Sequence, residues 1–314
     1  YIETATGSPP ERADIRIDGG GEVEVVLGTQ ATGQGHETSF SQIVTELLGV
    51  PFATIEVHEG DTDRVTMGSG SQSSRSMRVG GTLLYRAAGD IIEKGRRIAA
   101  HMLEAAEADL EFGDGQFRVT GTDRAMDLFE VARAAETGAG LADDLKGPLA
   151  ARQDTTIMIP TFPTGCHICE VEIDPETGAL ELTRHIAVDD VGVVINPLLV
   201  DGQTHGATAQ GLGQAMMEHS IYDSQGQLLA GTLLDYAIPK AADLPFFEAA
   251  NNEVFSPNNP LGIKGAGEGG TTGAPPALMN AVVDALSEFG VTHLDMPASS
   301  EKIWRAIQGR EGAQ

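Results

Sequence analysis

An α+β fold of two similar lobes, each a mixed or antiparallel sheet with packed helices, follows from three features of the sequence. A strand hairpin followed by a helix appears early in the chain and again after its midpoint. Patternless, turn-rich sequence over 138–154 separates the two halves and sets the lobes at 1–150 and 151–314. The length of 314 residues, with 41% hydrophobic content, supports a large core in two subdomains.

In the first half, strands at 13–17 and 22–27 flank Asp18-Gly19-Gly20-Gly21, a composition that closes a hairpin. Over 37–48, Phe40, Ile43, Val44, Leu47 and Leu48 fall on one helical face, and Pro51 ends the element. A short strand at 54–58 and a polar loop at 60–70 precede a long helix over 81–108, weakened by Gly89 and Gly95. A second hairpin turns on Gly113-Asp114-Gly115, and a short helix covers 125–135. In the second half, strands at 167–173 and 180–189 are joined by Asp174-Pro175-Glu176-Thr177-Gly178. Residues 206–219 read as a helix with a small-sided face, Gly206, Ala209 and Gly213, that something must approach closely. Irregular sequence over 239–257 and a glycine loop lead to a helix at 277–289. Ser299 or Ser300 then caps a last helix that turns Ile303, Trp304 and Ile307 inward.

Composition narrows the function. With 46 acidic against 20 basic residues, the formal charge of −26 repels nucleic acid and acidic membrane surfaces. The sequence has no apolar run long enough to span a membrane and no secretory pattern, so a cytoplasmic location is expected. The start at Tyr1 rather than Met suggests a piece of a longer chain or a cleaved product. Cys166 and Cys169 make one CxxC, too few ligands for a structural zinc or an iron–sulfur cluster. A redox dithiol stays open, but strand-like alternation around the pair favours two reduced, structural cysteines. The eight histidines lack metal-ligand spacing, and no Gly-x-Ser-x-Gly elbow marks a serine hydrolase.

Four stretches carry candidate chemistry. Gly33-Gln34-Gly35-His36-Glu37-Thr38 sits at a strand–loop–helix junction, where free amides bind anions. As a bare anion-loop signal it is weak, and an ordinary capped helix start is the favoured reading. The loop over 69–76 is rich in hydroxyls. Its one cation, Arg75, suits either a bidentate phosphate contact or a salt bridge. Asn196, Gln203 and Gln210 are neutral amides suited to a heterocycle's mixed donors and acceptors, and the two glutamines share one side if their helix begins early enough. The fourth stretch runs from Gly262 to Pro276 and contains Lys264, Gly265, Gly267 and Glu268. A lone carboxylate among glycines suits a general base or acid, or else a surface loop before a helix.

Taken in order, these motifs, with Asp189-Asp190-Val191-Gly192 and Asp201-Gly202-Gln203, resemble the molybdenum hydroxylases. That is the family of xanthine dehydrogenase, aldehyde oxidase and the aerobic carbon monoxide dehydrogenase large chain. Essentially the whole sequence is similar to its C-terminal molybdopterin-binding region. The resemblance implies an oxidoreductase that hydroxylates an aldehyde or N-heterocycle with water as oxygen source. Carbon monoxide oxidation is an alternative, as is an inactive assembly or scaffold module. Glu268 matches the family's proton-accepting glutamate. Gln34, Gly35, His36, Glu37, Thr38, Ser74, Arg75, Ser76, Asn196, Gln203, Gln210, Lys264, Gly265 and Gly267 match segments around a molybdenum-pterin, expected as molybdopterin cytosine dinucleotide. The metal in this family is held by the pterin dithiolene, so no protein metal ligand is expected. Implied partners are the N-terminal half of the large chain or a subunit equivalent to it, an iron–sulfur subunit, an FAD subunit and a small-molecule substrate.

Overall fold

The computed structural model describes residues 1–6, 10–138, 140–155 and 159–309. The chain forms two compact units. The first comprises Ala5–Thr161 and Phe255–Gly265; the second comprises Tyr1–Thr4, Phe162–Val254 and the chain from Ala266 onward.

In the first unit, β1 (Glu11–Ile17) and β2 (Val23–Leu27) form the expected antiparallel hairpin. The Asp18 carboxylate closes its turn by accepting from the amides of Gly21 and Glu22 at 2.9 and 2.8 Å. Alternation buries Glu11, Ala13, Ile15 and Ile17 on one face of β1. α1 (His36–Leu48) follows, and then β3 (Ile55–His58), which runs parallel to β2. α2 (Ser76–Met102) begins five residues before the expected helix and ends six residues before its expected end. Gly95 persists inside it because the Phe117 ring fills the space where a Cβ would stand, 2.7 Å away.

β4 (Leu110–Gly113), β5 (Gln116–Val119) and β6 (Ala125–Asp127) make a small antiparallel sheet. The segment expected as helix from 125 divides there, because Asp127 caps α3 (Leu128–Thr137) in a capping box with Glu130. β7 (Leu149–Thr155) then pairs with β1, giving the order β3-β2-β1-β7. The expected boundary at residue 150 thus falls inside a strand of the first unit. The observed change of unit comes at Thr161, and Phe255–Gly265 returns to the first unit later.

The second unit repeats the wiring. β8 (Thr164–Ile173) and β9 (Leu180–Asp190) are antiparallel, α4 (Pro197–Met216) follows, and β10 (Glu248–Asn251) pairs parallel to β9. α5 (Gly269–Ala285) comes next, so both units read strand–strand–helix–strand–helix, with sheet orders β3-β2-β1 and β10-β9-β8. α6 (Ser300–Ile307) is capped by Ser299, as expected. The core joins Leu212 of α4, Leu278 and Val282 of α5 and Ile303 of α6, all fully buried. Each such side chain contributes about 1.5–3 kcal/mol.

Two departures from expectation have packing causes. α4 begins at Pro197 and α5 at Gly269, nine and eight residues before the expected starts. Intrinsic propensity reads Gly269-Gly270 and Pro275-Pro276 as loop, but contact between α4 and α5 overrides it. A Cβ at Gly270 would stand 2.7 Å from the Thr208 amide nitrogen, so glycine lets the two helices touch. The close-packed face of α4 therefore runs through Ala207, Thr208 and Gly211. Gly206, expected on that face, has nothing within 4 Å of an added Cβ.

Candidate functional site

The first unit brings three of the motifs together. Gln34 cross-links its own loop to the next: its Nε2 donates to the Gln30 carbonyl at 3.2 Å and to Ser71 Oγ at 2.9 Å. Ser71 Oγ lies 2.8 Å from Ser76 Oγ, which lies 2.6 Å from Thr29 Oγ1. An unbroken polar chain thus runs from the β2–α1 loop into the start of α2. Gly35 is left-handed (φ 73°) and offers α1 no side-chain cap. The first-turn amides of His36, Glu37 and Thr38 consequently have no intrahelical acceptor. Glu37 and Thr38 are exposed, whereas His36 is buried with Nδ1 3.3 Å from Glu59.

Ser73 and Ser74 both take positive φ, 49° and 48°, a strained pair immediately before α2. The Ser74 hydroxyl is buried with no hydrogen-bond partner. Gly265 presses on this turn: its φ is 148°, and a Cβ there would stand 2.6 Å from Ser74 Cβ. Lys264 is held beside it, its carbonyl accepting from Thr161 Oγ1 at 2.6 Å.

Arg75 belongs to the frame of this site. Its side chain is fully buried, with Nη1 2.7 Å from Glu11 and 2.9 Å from the Gly70 carbonyl. The salt-bridge reading of Arg75 is the one the geometry carries. Burial pushes the Glu11 carboxyl up, and Arg75 opposes that shift. Sequence reasoning missed Glu11, although period-two alternation through Ala13, Ile15 and Ile17 already places it on the core face.

The second unit carries the amides and the acid. Asn196 caps α4, its Oδ1 accepting from the Leu199 amide at 3.0 Å. Gln203 and Gln210 both lie on α4, two turns apart, half-buried and exposed respectively. Glu268 is the N-cap residue of α5 and is exposed, as is Gly267. Its side chain does not cap the helix. Its carbonyl accepts from the amide and hydroxyl of Thr272 at 3.0 and 2.9 Å, which fixes the backbone at the helix start.

Beneath that start lies a part-buried polar chain whose members the sequence reading did not bring together. Tyr1 Oη and His167 Nε2 approach Asp189 Oδ1 at 3.0 and 3.1 Å, His185 Nε2 lies 3.2 Å from His167 Nδ1, and Cys169 Sγ lies 3.1 Å from His185 Nδ1. Alternation was the available signal, since His167 and Cys169 share one face of β8 while His185 and Asp189 share one face of β9. Burial pushes the Cys169 thiol up to about 12 and His185 down to about 4. Cys166 is exposed and three strand positions from Cys169, so the two point to opposite faces. The open dithiol reading is thereby removed. Among the described residues no group of three His, Cys, Asp or Glu side chains is placed to hold a metal ion, and no helix is long and apolar enough to cross a membrane.

Each unit offers donors of a kind that a phosphate-bearing heterocycle takes. In the first, uncapped amides at α1 and the unpartnered Ser74 hydroxyl suit an anion; in the second, the side-chain amides of Asn196, Gln203 and Gln210 suit a ring.

The family model described as a molybdopterin cofactor-binding domain matches residues 1–245. The carbon monoxide dehydrogenase large chain of Hydrogenophaga pseudoflava is 38% identical over 95% of this chain and 37% of its own length. The nicotine 6-hydroxylase large subunit of Paenarthrobacter nicotinovorans is 37% identical, again over 95% and 37%. Among solved structures, a Cu,Mo-CO dehydrogenase in its carbon monoxide reduced state superposes with a TM-score of 0.92 at 34% identity, covering 98% of this chain and 40% of that one. Quinoline 2-oxidoreductase from Pseudomonas putida 86 gives 0.91 at 36%, over 99% and 41%. The chain belongs to the molybdopterin cofactor-binding domain family, within the molybdenum hydroxylases. It spans little more than a third of the length of the curated relatives it matches.

Proposed function

We propose that this chain is the molybdenum-pterin-binding part of a molybdenum hydroxylase large chain, with Glu268 as the base of the reaction. The observation that carries this reading is the buried Ser74 hydroxyl, which has no hydrogen-bond partner, in a loop cross-linked through Ser71 and Gln34 to the uncapped start of α1. Gln34, Gly35, Thr38, Ser74, Ser76, Lys264 and Gly265 of the first unit hold the cofactor, with His36 and Arg75 shaping their loops. Within the second unit, Asn196, Gln203, Gln210 and Gly267 are the proposed cofactor contacts. When bound, the cofactor supplies the two-electron redox centre. Glu268, exposed at the start of α5, takes the proton of the water that provides the oxygen.

Of the substrate classes, carbon monoxide has the stronger support, from 38% identity to a carbon monoxide dehydrogenase large chain and the 0.92 TM-score. An N-heterocycle is the second reading, supported by the nicotine and quinoline enzymes at nearly the same similarity. The cofactor is the cytosine dinucleotide form, and the remaining large-chain half, an iron–sulfur subunit and an FAD subunit complete the enzyme. The test is to purify the chain assembled with these partners, measure molybdenum and released cytidine nucleotide, and compare oxidation of carbon monoxide with that of quinoline and nicotine. Stoichiometric molybdenum with carbon monoxide turnover is expected. Reproducible absence of molybdenum from the assembled complex contradicts the reading, and turnover of heterocycles alone selects the second.

A further inference from the structure

With both imidazoles neutral, the Tyr1–Asp189–His167–His185–Cys169 chain has one hydrogen-bond polarity. Asp189 can only accept when ionised, so Tyr1 Oη–H and His167 Nε2–H both donate to Oδ1. His167 Nδ1 is then an acceptor and takes the Nε2–H of His185, which leaves His185 Nδ1 to accept the Cys169 thiol proton. The local shifts agree with this assignment. The thiol is kept protonated and His185 neutral, and burial beside Asp189 holds the Tyr1 phenol well above its usual range. Asp189, which accepts from both Tyr1 and His167, is buried to 2% exposure.

This assembly forms the seat of α5. A Cβ at Gly269 would stand 2.4 Å from Tyr1 Oη, and one at Gly273 would stand 2.8 Å from the His167 ring. The first two turns of the helix rest with bare backbone on these two side chains, and Glu268 is the residue immediately before Gly269. We propose that Tyr1 and His167, locked by Asp189, are positioning residues that set the backbone at Glu268 for its role as base. This rests on the function proposed above for Glu268. Outer-shell groups of this kind change activity by about 10–100-fold when lost.

The test uses the assembled enzyme. Gly269→Ala drives a methyl group into Tyr1 Oη. It is expected to lower kcat by about tenfold or more with KM and molybdenum content within about twofold of wild type, and to speed amide exchange over Gly270–Thr272. Adding Tyr1→Phe to the same chain removes the oxygen that is struck and is expected to recover part of both, up to the level of Tyr1→Phe alone. Should Gly269→Ala fail to assemble, Tyr1→Phe alone reads the same seat through faster amide exchange of Gly269–Thr272. Wild-type exchange and kcat in Gly269→Ala, a loss that Tyr1→Phe does not recover, or unchanged exchange in Tyr1→Phe alone where that variant stands in, overturns the inference. Absence of molybdenum from wild type contradicts the proposed function, and the exchange measurement still decides the seat.

Discussion

The two units share one wiring and use it oppositely. At the start of the second helix of each unit stand Arg75 and Glu268, both right-handed N-cap residues whose side chains leave the helix uncapped. Arg75 is fully buried against Glu11, whereas Glu268 is exposed. The first-helix loops differ as well. The first unit reaches α1 through a glycine with no cap, while the second reaches α4 through Asn196, which caps it. One unit buries its ionic pair to build a loop of available donors. The other packs a hydrogen-bonded chain around Asp189 to seat an exposed acid. Topology alone does not assign these roles; the assignment follows from where each loop's side chains find their partners.

The largest expected effect on stability breaks the buried pair. Glu11→Gln or Arg75→Met leaves one charge uncompensated and is expected to cost about 3–5 kcal/mol in denaturant unfolding. An effect below about 1 kcal/mol would mean that the first unit's loop does not depend on it. The second unit has its counterpart in His185. With its pKa lowered to about 4 from 6.5, the folded state binds fewer protons than the unfolded state between those values. Stability is therefore full above pH 6.5 and falls by about 3 kcal/mol as the pH drops to 4. Unfolding curves across that range check it, and His185→Gln is expected to flatten the dependence.

Much of this comparison was legible in the sequence. The hairpins, α1 and α6 stand where alternation, helical faces and capping residues put them. What escaped was set by tertiary contact. α5 begins inside a glycine run because α4 packs against it, and β10 lies in sequence read as irregular because its pairing partner β9 is about 60 residues away. The partner of Arg75 could not be read from its own loop, since Glu11 lies on the first strand. The His167–Asp189 seat likewise depends on the register between β8 and β9, which pairs Cys169 with His185.

Smaller effects sharpen the contrast between the loops. Gly265→Ala puts a Cβ against Ser74 at a backbone conformation side chains rarely take and is expected to cost about 2 kcal/mol. Molybdenum content in the assembled enzyme should fall with it, as elemental analysis would read. Asn196→Ala removes the cap of α4 and is expected to cost about 1 kcal/mol in unfolding.

The central claim is that Glu268 is the reacting base, and Glu268→Gln in the assembled enzyme tests it most directly. Turnover is expected to fall by about 100-fold or more with molybdenum occupancy unchanged. Near-wild-type turnover at full occupancy would contradict the account.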